Sequence, residues 1–470
     1  DDLRDSRNTQ DTEPYVSRTL TSLGNGNWIM GSPQWNANRG GVTFISPTRI
    51  DAGALVGTLG SANSLVGASA GDNYGLTMRQ DGRAGVGVVQ IGNLANANYI
   101  LTLDGARTKI VPIDLNAATN GISGLVSSSN ALLVPDSVGS ITQLSTGDLV
   151  IANDAWSGNK GYVRVVPYSG SFYSTFTGSL SSVTSFNSLI GSQAGDKVGT
   201  SITETGGGYF LAKSAYTRGF TQWTNQGGTV DLGGLTYMGA SSPVTGVLSS
   251  ANSLLGRSNA NAAGGVYAIG DVKVLSDGSY VVLGKDVASS QGTGFAAYGV
   301  AGTGVVGVAG PGAGSVGLYD STQYSGLRTT QYGGPSITDL GGGAWVISSP
   351  WLNPSANNWS GDPYIIWGSS TNIPSGQVTS SNTFSLQNPG SVNFGSLGSG
   401  RFVVGIPNYG ANATEGAVTV INANSKKHTH LNLIRDLLSK VNYSERDEKI
   451  LAVDPDIVMP CPPLGDKPPR

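Results

Sequence analysis

Leu144-Ser-Thr-Gly-Asp-Leu-Val-Ile151 is the end of an apolar strand, a glycine turn and the start of a second apolar strand. Two apolar runs joined by a tight Gly/Asn/Asp turn are the short-range mark of a β-hairpin, because the turn needs a backbone shape most residues resist. The same order returns at Leu23-Gly-Asn-Gly-Asn-Trp-Ile-Met30, Leu94-Ala-Asn-Ala-Asn-Tyr-Ile-Leu101, Glu204-Thr-Gly-Gly-Gly-Tyr-Phe-Leu211, Leu275-Ser-Asp-Gly-Ser-Tyr-Val-Val282, Leu340-Gly-Gly-Gly-Ala-Trp-Val-Ile347 and Leu397-Gly-Ser-Gly-Arg-Phe-Val-Val404. The first residues after the seven turns are Trp28, Tyr99, Leu149, Tyr209, Tyr280, Trp345 and Phe402, spaced 50 to 71 residues apart. Self-similarity at this period defines a repeat architecture.

Each copy continues in the same way. A third apolar run follows: Gly41 to Ile45, Lys109 to Ile113, Tyr162 to Val166, Phe220 to Thr224, Phe295 to Val300, Tyr364 to Trp367 and Ala417 to Ile421. A more polar fourth segment follows in six copies, at Leu55 to Leu59, Ile122 to Val126, Phe176 to Val183, Val244 to Leu248, Val316 to Tyr319 and Val378 to Ser380. It often runs into Asn-Ser-Leu-aliphatic-Gly, as at Asn63 to Gly67, Asn187 to Gly191 and Asn252 to Gly256. Four short strands with such turns predict an antiparallel meander. A lone meander leaves both faces wet, and repetition about an axis buries the faces and hides most edges. The pattern predicts an all-β, seven-bladed β-propeller of four-stranded antiparallel blades; a β-solenoid is the competing architecture, with much shorter rungs. The seventh copy lacks its fourth strand, and residues within Thr9 to Thr19 are the expected donor that closes the ring.

Composition agrees. The 470 residues include 70 glycines, only 12% are charged, and no Gly-X-Y period is present, so collagen is excluded. Glu, Lys and Met are scarce while Val, Ser, Thr, Asn and Tyr abound, as in a β protein with many turns. The formal net charge of −3, without a basic patch, argues against nucleic acid as a partner. No run of 18 apolar residues suggests a membrane span. The sequence opens on Asp1 without a visible signal peptide, which fits a processed fragment. A weakly charged surface rich in Ser, Thr, Asn and Gly fits an extracellular or cell-surface setting.

Three regions follow. Residues 1–18 form a polar arm with eight charges, and 19–424 form the repeat body. Residues 425–470 form an extension with fifteen charges, a predicted helix at 431–441 and a proline-rich end. Ile434, Leu437, Leu438 and Val441 stand at i, i+3, i+4 and i+7, one apolar stripe for packing on the body or for contact with a partner or second copy.

At Asn63-Ser-Leu-Val-Gly-Ala-Ser-Ala-Gly-Asp72 and Asn187-Ser-Leu-Ile-Gly-Ser-Gln-Ala-Gly-Asp-Lys-Val-Gly199 the chain resembles the repeats of filamentous-haemagglutinin-like exoproteins and adhesins, large secreted bacterial proteins. The resemblance spans about residues 20–424, with copies five and six departing from it. It implies a secreted or surface protein with a binding or structural role, and carries over no catalytic residue.

Candidate sites are few. Trp35, Trp156, Tyr216 and Tyr409 each lie seven residues past the first post-turn position of their hairpin, and Trp351 six past. Equal offsets place these rings at equivalent points of one rim, where they either stack on sugars or plug the seams between blades. Gly302-Thr-Gly-Val-Val-Gly307 matches the dinucleotide fingerprint as a string, but the following Val308-Ala-Gly-Pro-Gly-Ala-Gly314 cannot open the helix that fingerprint needs. Gly67-Ala-Ser-Ala-Gly71 matches a nucleophile-elbow string, yet the only histidines, His428 and His430, lie in the extension. Asp72 and Asp196, in matched Gly-Asp turns, are expected to cap their own loops, with calcium as the alternative. The His428/His430 pair and Cys461 suggest at most a weak metal site and a free thiol. No cofactor and no metal are expected.

The resulting expectation is a non-enzymatic extracellular module whose partner is a protein or glycan at a cell surface, with self-assembly through the extension. A lectin with an aromatic rim is the second reading. The third is a propeller enzyme such as a glycosidase, which would need two carboxylates about 5–10 Å apart from scattered residues such as Asp154, Asp231 or Asp286.

Overall fold

A computed structural model describes residues 19–24, 26–75, 89–94, 97–114, 123–168, 170, 177–221, 227–257, 266–286, 294–310, 315–319, 335–349, 364–378, 384–385, 393–406 and 417–424. The chain is mostly β-sheet with few helices. The proposed donor within Thr9 to Thr19 lies, but for Thr19, outside these residues, as do the whole extension, Trp351 and Tyr409.

The repeats fold as sheets in chain order. In the first, Thr19–Gly24, Asn27–Ser32 and Gly41–Ile45 run antiparallel, and the short strand Leu65–Val66 adds antiparallel to the third. The second is built on Val89–Leu94, Ala97–Leu103 and Lys109–Asp114, the third on Ser140–Gln143, Leu149–Asn153 and Tyr162–Val166. The fourth has Ser201–Gly206, Tyr209–Ser214 and Gly234–Gly239, and the fifth Tyr267–Val274, Tyr280–Asp286 and Gly294–Gly299. Ser336–Gly341, Ala344–Ser349 and Tyr364–Gly368 make the sixth. Asn393–Gly398, Arg401–Ile406 and Ala417–Asn422 make the seventh.

Two expectations about the strands are corrected. The fourth strand is the Leu-aliphatic pair of the Asn-Ser-Leu motif, at Leu65–Val66, Leu189–Ile190 and Leu254–Leu255, and of Asn130-Ala-Leu-Leu133 in the second copy, at Leu132–Leu133. The segment before it, which lies within or adjoins the more polar run read as the fourth strand in copies two, three, four and six, instead reaches back to the sheet before. Gly124–Leu125 pairs parallel with Leu65–Val66, and Gly178–Ser179 with Leu132–Leu133. Gly246–Val247 joins Leu189–Ile190, Gly307–Val308 joins Leu254–Leu255, and Gly376–Gln377 joins Leu318–Tyr319. In the fifth copy the expected segment does contain the fourth strand, Leu318–Tyr319. In the fourth copy the third strand is Gly234–Gly239, and Thr217–Thr221 pairs with Gly227–Asp231 as an inserted hairpin.

The Asn of the motif has a physical task. Asn63 Oδ1 accepts from Gly60 N at 3.0 Å while its Nδ2 donates to Thr58 O at 3.0 Å. Asn130 repeats this with Ser127 N and Leu125 O, and Asn252 with Ser249 N and Val247 O. The side chain closes its turn and ties it to the bridging segment, using both ends of the amide. Behind it, Ser64 Oγ meets Thr43 Oγ1 at 2.7 Å and Ser253 Oγ meets Thr236 Oγ1 at 2.6 Å, both pairs buried.

The core consists of layers between consecutive sheets. In a strand, successive side chains point to opposite faces, so one strand feeds two layers. Leu149 and Ile151 pack with Leu101, Leu103 and Ile110 of the second sheet, whereas Val150 and Ala152 pack with Phe210 and Ala212 of the fourth. Tyr280 and Val282 pack towards Leu235 and Tyr237, whereas Val281 and Leu283 pack towards Trp345 and Ile347. Phe402 and Val404 close on Val346 and Ile365. The strands are nearly continuous in apolar residues because both of their faces are covered.

Pairing also corrects the hairpin alignment by one residue in the fourth copy. Phe210 pairs with Glu204 next to a bulge, as Trp28 pairs with Ser22 and Trp345 with Asp339, so Phe210 is their counterpart and Tyr209 flanks the turn. At this position Leu149, Phe210, Tyr280 and Phe402 are 0% exposed and Trp345 is 1%, each against the sheet before; Trp28 is 39% exposed. Among the described residues no core cluster joins the first sheet to the seventh.

Candidate binding rim

The loop after the second strand begins with the recurring aromatic. Trp35–Asn38 and Trp156–Asn159 resemble single helical turns but are left-handed inside: φ is 49°, 57° and 60° at Asn36, Ala37 and Asn38, and 49°, 71° and 66° at Ser157, Gly158 and Asn159. A left-handed residue other than glycine costs about 1–2 kcal/mol through its Cβ. The loop that follows the fourth strand holds each of these turns in place. Gly71 N donates to Ala37 O, and Asn73 N to Asn38 O at 2.7 Å; in the third repeat Gly195 N and Lys197 N both donate to Asn159 O. Gly67 and Gly191 are required by this approach, since a Cβ there would stand 2.1 Å from Arg39 O and 2.2 Å from Lys160 O. Residues 36–38 and 157–159 remain exposed.

The matched Asp residues cap their loops. Asp72 Oδ2 accepts from Ser69 N at 3.0 Å, and Asp196 Oδ2 accepts from Ser192 N at 2.7 Å and Gln193 N at 3.1 Å. They also grip the next repeat: Asp72 pairs with Lys109 Nζ of the second sheet at 2.6 Å, and the buried Asp196 pairs with Arg218 of the inserted hairpin, whose guanidinium lies 3.6 Å from the Tyr216 ring centroid. The second repeat uses Asp136, which accepts from Trp156 Nε1 at 2.9 Å and Val183 N at 2.6 Å. Sequence reasoning missed Asp136 because its loop is shorter. The signal was present as Asp72-Asn-Tyr-Gly75, Asp136-Ser-Val-Gly139 and Asp196-Lys-Val-Gly199.

The described recurring aromatics pack inward, two of them at seams between sheets. Trp35 is buried with Leu59 and Val66. Trp156 packs on the layer between the second and third sheets, edge-on to Tyr162 at 5.8 Å, and Tyr216 packs on the layer between the third and fourth. Trp351, Tyr409 and the extension's Ile434, Leu437, Leu438 and Val441 lie outside the described residues.

The two strings that imitate enzyme motifs have structural explanations. Gly302 N donates to Tyr237 Oη at 2.8 Å and Val305 N to Tyr280 Oη at 3.1 Å, and a Cβ on Gly304 would fall 2.7 Å from Tyr237 Cβ. The glycines of Gly302 to Gly307 thus fit the loop over a tyrosine stack, in which Tyr209, Tyr237 and Tyr280 follow at 5.5 and 5.4 Å. Burial raises the Tyr280 hydroxyl well above its ordinary range, as it does for Tyr74 and Tyr162. Ser69 is the exposed end of the Asp72 cap. Among the described residues no three His, Cys, Asp or Glu side chains group as a metal site, and no helix is long and apolar enough to cross a membrane.

Residues 22–76, 143–200 and 211–265 match a family described as a repeat of unknown function (DUF5650). These segments cover the first, third and part of the fourth sheet units, and establish a repeat protein; nothing ties the chain to filamentous-haemagglutinin-like exoproteins. No curated protein matches. Solved structures are also similar, among them the following three. A puromycin-hydrolyzing peptidase of Mycobacterium tuberculosis is 10% identical over 88% of this chain and 53% of its own, with a TM-score of 0.29. The dihydro-heme d1 dehydrogenase NirN is 13% identical over 86% and 63%, with 0.25. Oligopeptidase B of Leishmania major is 9% identical over 84% and 46%, with 0.29. This chain therefore spans less than two thirds of each. The expectation of a non-enzymatic chain is corrected here: these three structures are enzymes by name, two of them peptidases, and that expectation is withdrawn. At these TM-scores the likeness assigns no activity to this chain.

Proposed function

We propose that the chain is a seven-bladed β-propeller serving as an extracellular binding or structural module, an adhesin-type binder or building block of a surface assembly, that takes a protein or glycan on its rim. The observation that carries this reading is the pair of left-handed turns at residues 36–38 and 157–159, exposed and pinned by backbone hydrogen bonds at equivalent places of two repeats. Backbone strain kept at an exposed loop is a recognised mark of a working site. A pre-ordered loop also loses little entropy when it binds. The rings of Trp35 and Trp156 are engaged in packing, so recognition is assigned to the loop tips rather than to aromatic faces.

The test is a screen of immobilised glycans and extracellular proteins, first with the whole chain and then with Asn36, Ala37 and Asn38 all changed to glycine. Glycine accepts these φ values without strain, so the fold persists while the side chains are lost. Affinity for the ligand found should fall about tenfold or more, a change of about 1.4 kcal/mol. Unchanged affinity, or no ligand in the screen, would remove the rim from consideration.

A further inference from the structure

Four features of the first and seventh sheets are halves of contacts that other repeats complete. Trp28 occupies the position whose counterparts are buried against the preceding sheet, yet it is 39% exposed, and Leu20, in the cross-strand row beside it, is 58% exposed. Trp35 Nε1 is buried and has no acceptor among the described residues, whereas its counterpart Trp156 Nε1 donates to Asp136 of the preceding repeat. Gly57-Thr58 stands six residues before Asn63, as Gly124 stands before Asn130 and Gly246 before Asn252. Gly57 has a φ of 91°, inside the span from 88° at Gly376 to 133° at Gly307 that the bridging glycines cover, with Gly124 at 121° and Gly246 at 112°. Each of those two segments lies parallel to the fourth strand of the preceding sheet. At the far end, Val403 is the counterpart of Val346, which is fully buried by the next sheet's neighbour layer, but Val403 and its cross-strand partner Val420 stay half-exposed.

We infer that the open face of the first sheet is the docking surface for the seventh sheet of the same chain, Trp28 and Leu20 packing on Val403 and Val420 as Phe402 packs on Val346. This rests on the ring architecture proposed above and names its closing junction. The same complementarity could join one copy to the next. The intrachain partner is favoured because a tethered partner acts at an effective concentration on the order of millimolar. Closure also covers an apolar face at each end, removing the surface most prone to association.

The experiment uses the full chain with Cys461→Ser as background. Trp28→Cys with Val403→Cys is the test pair, and Phe402→Cys with Val346→Cys, at the equivalent places of the sixth and seventh sheets, is the control pair. Each is treated with a short bis-maleimide and run on a denaturing gel. The expected result is an internally linked monomer for both pairs, with a yield independent of protein concentration. Linked dimers and ladders that grow with concentration would overturn closure in favour of assembly between copies. A linked control with an unlinked test pair would overturn it outright. Should the control variants fail to fold, a thermal double-mutant cycle between Trp28→Ala and Val403→Ala decides, because contacting residues show coupling and distant ones add. Binding of the screened ligand, measured separately on the same variants, tells failure of closure from failure of the module reading.

Discussion

Trp345 and Trp28 are the same residue at the same hairpin position, and the chain treats them differently. Trp345 stacks on Tyr298 at 6.0 Å, faces Gly368 across the strand and is 1% exposed; Trp28 faces Ile45 and is 39% exposed. The local sequence builds the same hairpin in both cases. The difference is the presence of a sheet in front, so burial here is a property of the junction and not of the strand.

That comparison can be broken or sharpened by mutation. The largest effect is expected at Trp345→Ala, with a loss of about 3–5 kcal/mol in denaturant unfolding, as for other buried aromatics. On the closure inferred above, Trp28→Ala approaches that value; a loss below about 1 kcal/mol would mean that the first face stays open in solution. Next comes Gly299→Val. A Cβ at Gly299 would lie 2.1 Å from Tyr280 Cζ, so Tyr280 must leave its place in the layer, at a cost of about 1–3 kcal/mol. Gly395, in the first strand of the seventh sheet and with only Val403 Cγ1 near, should tolerate alanine far better.

Smaller and condition-dependent effects follow. Asp196→Asn removes the charged partner of Arg218 while keeping part of the cap, and should cost about 1–3 kcal/mol; Asp72→Asn, whose pair is more open to water, should cost less. Calorimetry on both variants checks the order. Alkaline pH separates the layers from the ends as well. Burial holds the Tyr74, Tyr162 and Tyr280 hydroxyls above the ordinary value of 10.0. The folded state therefore keeps protons that the unfolded chain releases. Their contribution is complete below pH 10 and is lost as pH rises beyond it, by at most about 1.4 kcal/mol per unit for each tyrosine. Melting temperatures between pH 9 and 11 should fall less steeply in Tyr280→Phe than in the parent. An unchanged slope would mean that Tyr280 ionises freely in the folded chain.

Much of the repeat was legible in residue order alone. Glycine turns between apolar runs gave the hairpins, since only a few residues tolerate the turn backbone, and the Gly-Asp turns gave their caps. The Asn-Ser-Leu motif was visible but its role was not: a segment of two residues has no periodicity, and whether it pairs with its own sheet or the previous one depends on where that sheet lies. Phe220 to Thr224 reads as the third strand of the fourth copy because it is as apolar as a core strand, but it begins inside the strand Thr217–Thr221 of the inserted hairpin. The aromatic offsets were correct as spacing in the first and third repeats, yet spacing does not tell a ring that seals a seam from one that meets a ligand.

The sequence by itself determined that this is a glycine-rich repeat of short strands, and where the hairpins turn. Only the tertiary structure decided that each strand serves two layers, that each repeat reaches back to its predecessor, and that Asp136 joins Asp72 and Asp196. The physical reason is that turn geometry and alternation are properties of neighbours along the chain. The partner of a face, a strand edge or a carboxylate is set by which sheet stacks against it, across separations that no local pattern records.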